Sequence, residues 1–200
     1  MTKKSRVPAL DRAMSILEVL QKNHHCSVSE ILNETNLPRS TVYVLIEENI
    51  DCLAVHFGIM DGDRAYYVIK KTSPKAGVRI MSREGAQISL LHAGLGKCLL
   101  AFQNSELRER ILTSLDYTPI TSTSITSPEA LRRELANIQL QGWAFDNSEG
   151  EAEIRCIAVP VFDGEHNLLG AISIVGTINK FSTDVLPNIV EKVKTDSIML

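Results

Sequence analysis

Arg155-Cys156-Ile157-Ala158-Val159-Pro160-Val161-Phe162 and Leu168-Leu169-Gly170-Ala171-Ile172-Ser173-Ile174-Val175-Gly176 are apolar runs joined by the polar turn Asp163-Gly164-Glu165-His166-Asn167. Runs of this length, bounded by turn residues, read as two strands. Outward from them, Trp143 to Asp146 reads as a shorter strand just upstream. Before it, Ser127-Pro128-Glu129 reads as a helix start, the helix continues through Leu131, Leu135 and Ile138, and Gly142 suits its C-terminal cap. Further upstream, Cys52 to Ile59 and Ala65 to Lys70 read as strands around Met60-Asp61-Gly62-Asp63-Arg64, whose Asp-Gly step is a hairpin signal. Another strand is expected at Val78 to Ser82, and a helix in the tail from Ser182. Strands mixed with segregated helices give an α+β domain on a mostly antiparallel sheet.

The first 48 residues read as helices only. Leu10, Ala13, Met14, Leu17 and Leu20 recur at helical spacing, which predicts an amphipathic helix over about 9–22. Ser27-Val28-Ser29-Glu30 forms a capping box that starts a second helix at Val28, running to about Glu34. Asn36-Leu37-Pro38 breaks it, and Pro38 suits the first turn of a third helix carrying Arg39 to Ile46. Helix, short break, helix is the pattern of a helix-turn-helix, whose second helix presents its N-terminal residues to the DNA major groove. Here those residues are Arg39, Ser40, Thr41 and Tyr43. Residues 1–44 carry a net charge of +2 and residues 45–63 a net charge of −5, so a boundary is expected near Asn49, dividing the chain into 1–49 and 50–200.

With 200 residues, 44% hydrophobic and 22% charged, the chain is long and apolar enough for a packed core, which excludes disordered and low-complexity classes. A net charge of −3 gives no global attraction to nucleic acid or to anionic membranes, so any such binding must be local. Charges at Asp11, Arg12, Glu18 and Lys22 break the first apolar stretch, so neither a signal peptide nor a membrane span is expected and the cytoplasm is the expected location. Cys26, Cys52, Cys98 and Cys156 lie far apart, which suggests reduced buried thiols and no structural metal. Gly94-Leu95-Gly96-Lys97 fails as a phosphate loop, because Leu91 stands where Gly and Cys98 where Ser or Thr is needed. A hydrolase reading would use Cys156 as nucleophile, His92 as base and Asp146 as orienter, without any local signature around the cysteine. The expectation is a non-enzyme with no cofactor.

Pro8-Ala9-Leu10-Asp11-Arg12-Ala13 and Leu37-Pro38-Arg39-Ser40-Thr41-Val42-Tyr43 resemble the N-terminal domain of the isocitrate lyase regulator (IclR) family of bacterial transcription factors. Leu91 to Ala101, Arg155 to Asp163 and Ala171 to Ile174 resemble segments of its C-terminal domain, so the resemblance spans nearly the whole chain. It implies a winged helix-turn-helix, a linker helix, a GAF/PAS-like effector-binding domain, and assembly into homodimers or homotetramers. It also implies effector contacts at Gly94 and Leu95 through backbone amides and at Asp146, Cys156 and Ser173 through side chains. Backbone amides beside a helix start expected at Lys97 can hold a carboxylate, and the whole set suits a small keto, hydroxy or sugar acid, with double-stranded DNA as the second partner. The chain departs from the family in four places. The wing, the linker helix and the start of the effector domain have no counterpart between Glu48 and Asp51, and Val44 stands where Arg is usual. Val175 replaces a second serine, and His92-Ala93-Gly94 is one residue short. A ligand-responsive regulator with weakened DNA affinity is therefore expected; the alternative is a ligand-binding or dimerisation module without operator binding.

Overall fold

The computed structural model describes residues 53–72, 80–162 and 165–182, with Asp184 and Pro187. The three helices expected in the N-terminal segment, the DNA contacts expected at Arg39, Ser40, Thr41 and Tyr43, the boundary expected near Asn49 and most of the tail expected to be helical from Ser182 lie outside the described residues.

Among the described residues, six antiparallel strands form one sheet. β1 (Ala54–Asp61) and β2 (Arg64–Thr72) are joined by a two-residue turn in which Gly62 adopts φ +60°, a conformation glycine takes without steric cost. β3 (Gln87–Ile88) is a two-residue edge strand on β2. β4 (Ala144–Asn147), β5 (Ile154–Phe162) and β6 (Leu168–Thr177) form a meander. The order β3-β2-β1-β6-β5-β4 places the first long strand beside the last, so residues about 117 apart in the chain, such as His56 and Ser173, become direct cross-strand partners. The strands expected around Ile59, Lys70, Asp146, Phe162 and Gly176 are present with ends displaced by one or two residues.

Among the described residues, three helices pack into the main apolar core on one face of the sheet. α1 (Gly94–Ala101) is buried at every position, α2 (Ser105–Ser114) buries only Ile111 and Leu112, and α3 (Pro128–Gln141) buries Leu131, Leu135 and Ile138. On the sheet side this core meets Ala65, Ala144, Ala158 and Ala171, small side chains that let the helices approach the strands closely. Complete burial of leucines such as Leu95, Leu99 and Leu100 stabilises the fold by about 1.5–3 kcal/mol each before entropy is counted. The opposite face carries Ile157, Val159 and Ile174, covered by Phe181.

α3 is the helix expected from Ser127-Pro128-Glu129. The Ser127 hydroxyl accepts the Ala130 N–H at 3.2 Å, Pro128 opens the helix, and Gly142 closes it in the left-handed conformation at φ 78°. Two expectations are corrected. Ile80, Met81 and Ser82 form no strand, because the Lys70 ammonium takes the carbonyls of Ile80 and Ser82 that a ladder would have used. The chain pairs with β2 only later, at Gln87–Ile88. The helix expected to begin at Lys97 begins at Gly94, so Gly94 and Leu95 belong to its first turn.

Candidate functional site

The N-terminus of α1 rests on the sheet where β4, β5 and β6 run side by side. Asp146 on β4 is the cross-strand partner of Cys156 on β5, and alternation puts both on the helix-facing side, with Ala144 and Ala158. Ser173 on β6 lies opposite Ala158, one same-face position along from Cys156. Gly94 touches this surface so closely that an added Cβ would lie 3.2 Å from Cys156 Sγ and 3.3 Å from the Asp146 backbone nitrogen. A Cβ here would fit only if these neighbours gave way by a few tenths of an ångström.

The five residues expected at the effector site therefore converge. The Leu95 backbone and the Ser173 side chain both lie beside the Cys156 sulfur. No side chain caps α1, since its N-cap residue is Ala93 in an extended conformation. The first-turn amides and the positive end of the helix are thus presented toward Asp146, Cys156 and Ser173, an arrangement that attracts anions.

Asp146 is buried and its Oδ1 accepts the Glu149 N–H at 2.8 Å. Burial raises its pKa to about 7, against the opposing pull of that hydrogen bond, so near neutral pH the group exists in both acceptor and donor forms. Burial and the neighbouring Asp146 push the Cys156 thiol up to about 12. That thiol stays protonated, which removes the nucleophile of the hydrolase reading. His92, the base of that reading, is acted on electrostatically by Lys97 and Asp116, and its Nδ1 has no hydrogen-bond partner.

Lys97 holds the site together. Its ammonium is fully buried, donates to Glu149 Oε1 at 2.6 Å and to the Phe145 carbonyl at 2.7 Å, and lies 3.5 Å from Glu134 Oε1. It thereby ties α1 to β4 next to Asp146. The following turn is pinned from outside: Thr121 and Thr123 hydroxyls donate to the Ser148 carbonyl, and the Ser124 hydroxyl to the Glu149 carbonyl.

Two further residues face the same cluster without having been expected. His56 on β1 is buried, with Nδ1 3.4 Å from Ser173 Oγ and Nε2 2.9 Å from Ser82 Oγ. Burial, and the Lys70 charge after it, lower its pKa to about 4, so the ring is neutral. Tyr67 packs edge-on against it at 5.0 Å, and burial with the nearby Cys156 and Asp146 raises the phenol pKa. The signal for His56 was its place between Ala54 and Gly58 on the inward side of β1.

A groove of about 520 Å³ opens on the other side of β4, lined by Glu134, Asn137, Trp143, Phe145, Asn147 and Glu149 among others. Its two carboxylates disfavour an anion, whereas the Gly94–Asp146–Cys156–Ser173 surface offers donors. Among the described residues no cluster of His, Cys, Asp and Glu could hold a metal ion, and no helix is long and apolar enough to cross a membrane.

Comparison with known proteins gives concordant results. Residues 39–198 match the family described as bacterial transcriptional regulator IclR C-terminal, and residues 9–48 match the IclR helix-turn-helix domain. The HTH-type transcriptional regulator RhmR of Escherichia coli is 34% identical over 223 residues, covering 88% of this chain and 85% of the relative. Since 88% of this chain is about 176 residues, about 47 positions of that alignment have no residue of this chain. The E. coli regulator KdgR is 36% identical over 70% of this chain, which spans only 53% of that relative. Among solved structures, Thermotoga maritima IclR superimposes with a TM-score of 0.68 at 26% identity, covering 95% of this chain and 96% of the other. The C-terminal domain of E. coli KdgR gives 0.66 at 26% identity, over 94% and 95%.

Proposed function

The chain belongs to the IclR family of bacterial transcriptional regulators, and from that premise we propose that it is a cytoplasmic, ligand-responsive regulator whose effector is a small keto, hydroxy or sugar acid. The observation that carries this reading is the convergence of an uncapped helix N-terminus with Ser173 and Asp146 on one buried surface. The acid's carboxylate takes the Gly94 and Leu95 amides, Ser173 and Cys156 donate to further oxygens, and Asp146 pairs with a hydroxyl. Residues 50–200 form the effector unit and assemble as a homodimer or homotetramer.

DNA contacts fall to Arg39, Ser40, Thr41 and Tyr43, within the helix-turn-helix match. The affinity is weak, because about 47 alignment positions are missing and Val44 supplies no phosphate contact. These two features favour, as a second reading, a ligand-binding module that has lost its operator.

Thermal-shift measurements on the full chain with pyruvate, lactate and gluconate test the effector reading. A binding acid stabilises by ~2.7 kcal/mol at a hundredfold excess over Kd. Ser173→Ala weakens it by about 0.5–1.5 kcal/mol, and Asp146→Asn changes which acid binds best. Binding that both substitutions leave unchanged refutes the site. A mobility shift at physiological salt separates the two DNA readings: salt-sensitive, weak binding supports a regulator, and its complete absence supports the module.

A further inference from the structure

We propose that His56 is a positioning residue of the effector site: held with its proton on Nδ1 by Ser82 and the Lys70 ammonium, it donates to Ser173 Oγ and thereby turns the Ser173 hydroxyl proton toward a bound acid. This rests on the effector reading above and adds to it the polarity of the hydrogen-bond chain beneath the ligand.

Three groups stand in line: Ser82 Oγ, the two ring nitrogens of His56 and Ser173 Oγ, with Cys156 beside Ser173. His56 and Ser173 are register partners on β1 and β6, so the strand pairing itself sets their spacing. The imidazole is neutral and carries one proton, but both of its nitrogens have a hydroxyl partner. The chain can therefore point in only two directions. With the proton on Nε2, His56 donates to Ser82 and accepts from Ser173, whose hydroxyl then offers only lone pairs to a ligand. With the proton on Nδ1, Ser82 donates to Nε2, His56 donates to Ser173, and the Ser173 proton is free for an acceptor.

Two charges select the second direction. The Lys70 ammonium is bound to the carbonyls of Ile80 and Ser82, so it lies at the Ser82 end of the chain, and it is the charge that acts on His56. A cation there favours a lone pair on the nearby Nε2 and disfavours an N–H dipole pointing at it. At the other end, an anionic ligand asks Ser173 for a proton. Tyr67 packs against the ring with 5.0 Å between centroids. His56 itself need not touch the ligand.

The test has a ligand-free arm and a ligand arm, both on the full chain. In a two-bond proton–nitrogen spectrum of the 15N-labelled protein, the His56 ring, one of five histidines and assigned by its loss in His56→Asn, should show a protonated Nδ1 and an unprotonated Nε2. In the ligand arm, pyruvate, lactate and gluconate are titrated against wild type, His56→Asn, His56→Leu and Ser82→Ala. The asparagine amide places an N–H where Nδ1 stands, so this variant should bind within about threefold of wild type, while leucine, which donates nothing, should lose about tenfold. Ser82→Ala is distant from the ligand, and it should weaken binding and raise the Nε2-protonated fraction together. Should His56→Leu not fold, Ser82→Ala and the ring spectrum still decide. An Nε2-protonated ring, or asparagine faring no better than leucine while wild type binds, overturns the relay alone. If none of the three acids binds wild type, the effector reading falls and the relay falls with it, whatever the ring spectrum shows.

Discussion

Replacing Lys97 by methionine should be among the most damaging single changes in the chain. The substitution keeps the length of the side chain and removes one buried charge. Glu149, 6% exposed, then loses the 2.6 Å bond to its Oε1, while its Oε2 already has no partner, and the Phe145 carbonyl loses its 2.7 Å donor. Breaking a buried ion pair from one side costs about 3–5 kcal/mol, because the remaining charge is left in an apolar setting. For a unit of roughly 150 residues each kcal/mol moves Tm by ~2–4 °C, so a drop of roughly 10 °C is expected. Thermal and urea denaturation followed by the fluorescence of Trp143, the single tryptophan, which immediately precedes the strand that Lys97 anchors, measure it. The double variant Lys97→Met with Glu149→Leu should recover most of the loss, since removing both charges leaves the Phe145 carbonyl and the long Asn147 N–H contact without partners, while Glu134 keeps access to water. A loss below about 1 kcal/mol for Lys97→Met, or single losses that simply add in the double variant, would refute the reasoning. Acid binding should weaken in parallel, because Lys97 fixes α1 against Asp146.

Other consequences follow from the same geometry. The folded pKa of Asp146, raised from 3.8 to about 7, means that the folded chain holds a proton the unfolded chain has released; its contribution to stability is full below about pH 4 and is lost as pH rises toward 7. The stability difference between wild type and Asp146→Asn, measured by urea denaturation from pH 4 to 8, should therefore shift in favour of the variant with rising pH, and a flat difference contradicts the burial argument. Gly96→Ala should destabilise far more than Gly94→Ala, since the new Cβ would lie 2.0 Å from the Ser89 carbonyl oxygen, against 3.2–3.3 Å contacts at Gly94; equal melting temperatures would show that α1 shifts freely. Residues 50–200 expressed alone should melt cooperatively, and absence of a cooperative transition, where the full chain has one, would place the boundary elsewhere.

The parts of the fold legible in the sequence are those where local signals and tertiary needs agree. α3 carries a capping serine, Pro128, an apolar stripe and a closing glycine, and each does in the structure what its chemistry suggests. α1 has no such legibility: all eight of its residues are buried, so no polar face marks its period, and it starts earlier than Lys97 suggested. α2 fails for the opposite reason, burying only Ile111 and Leu112 behind a polar surface. β3 is two residues long, too short to show any period in the sequence. At the site, Gly94, Leu95, Asp146, Cys156 and Ser173 came from resemblance, whereas His56 comes to them only through the pairing of β1 with β6, which no local pattern specifies.

The electrostatics of the site argue for how an acid would be held. Lys97 lies close beneath Asp146, yet its charge is taken by Glu149 and shared with Glu134, so it serves the scaffold. On the proposed reading, an anion held between α1 and the sheet would rely on backbone amides, a hydroxyl and a protonated thiol, none of which carries a full charge. Neutral donors of this kind hold an anion less tightly than an arginine fork would, and they leave its binding sensitive to the protonation of Asp146 and to the direction of the His56–Ser173 hydrogen bond. Discrimination among acids then depends on which oxygens meet donors and which meet acceptors. That is the property a sensor needs, because modest affinity with sharp discrimination lets occupancy follow the concentration of one metabolite among several similar ones.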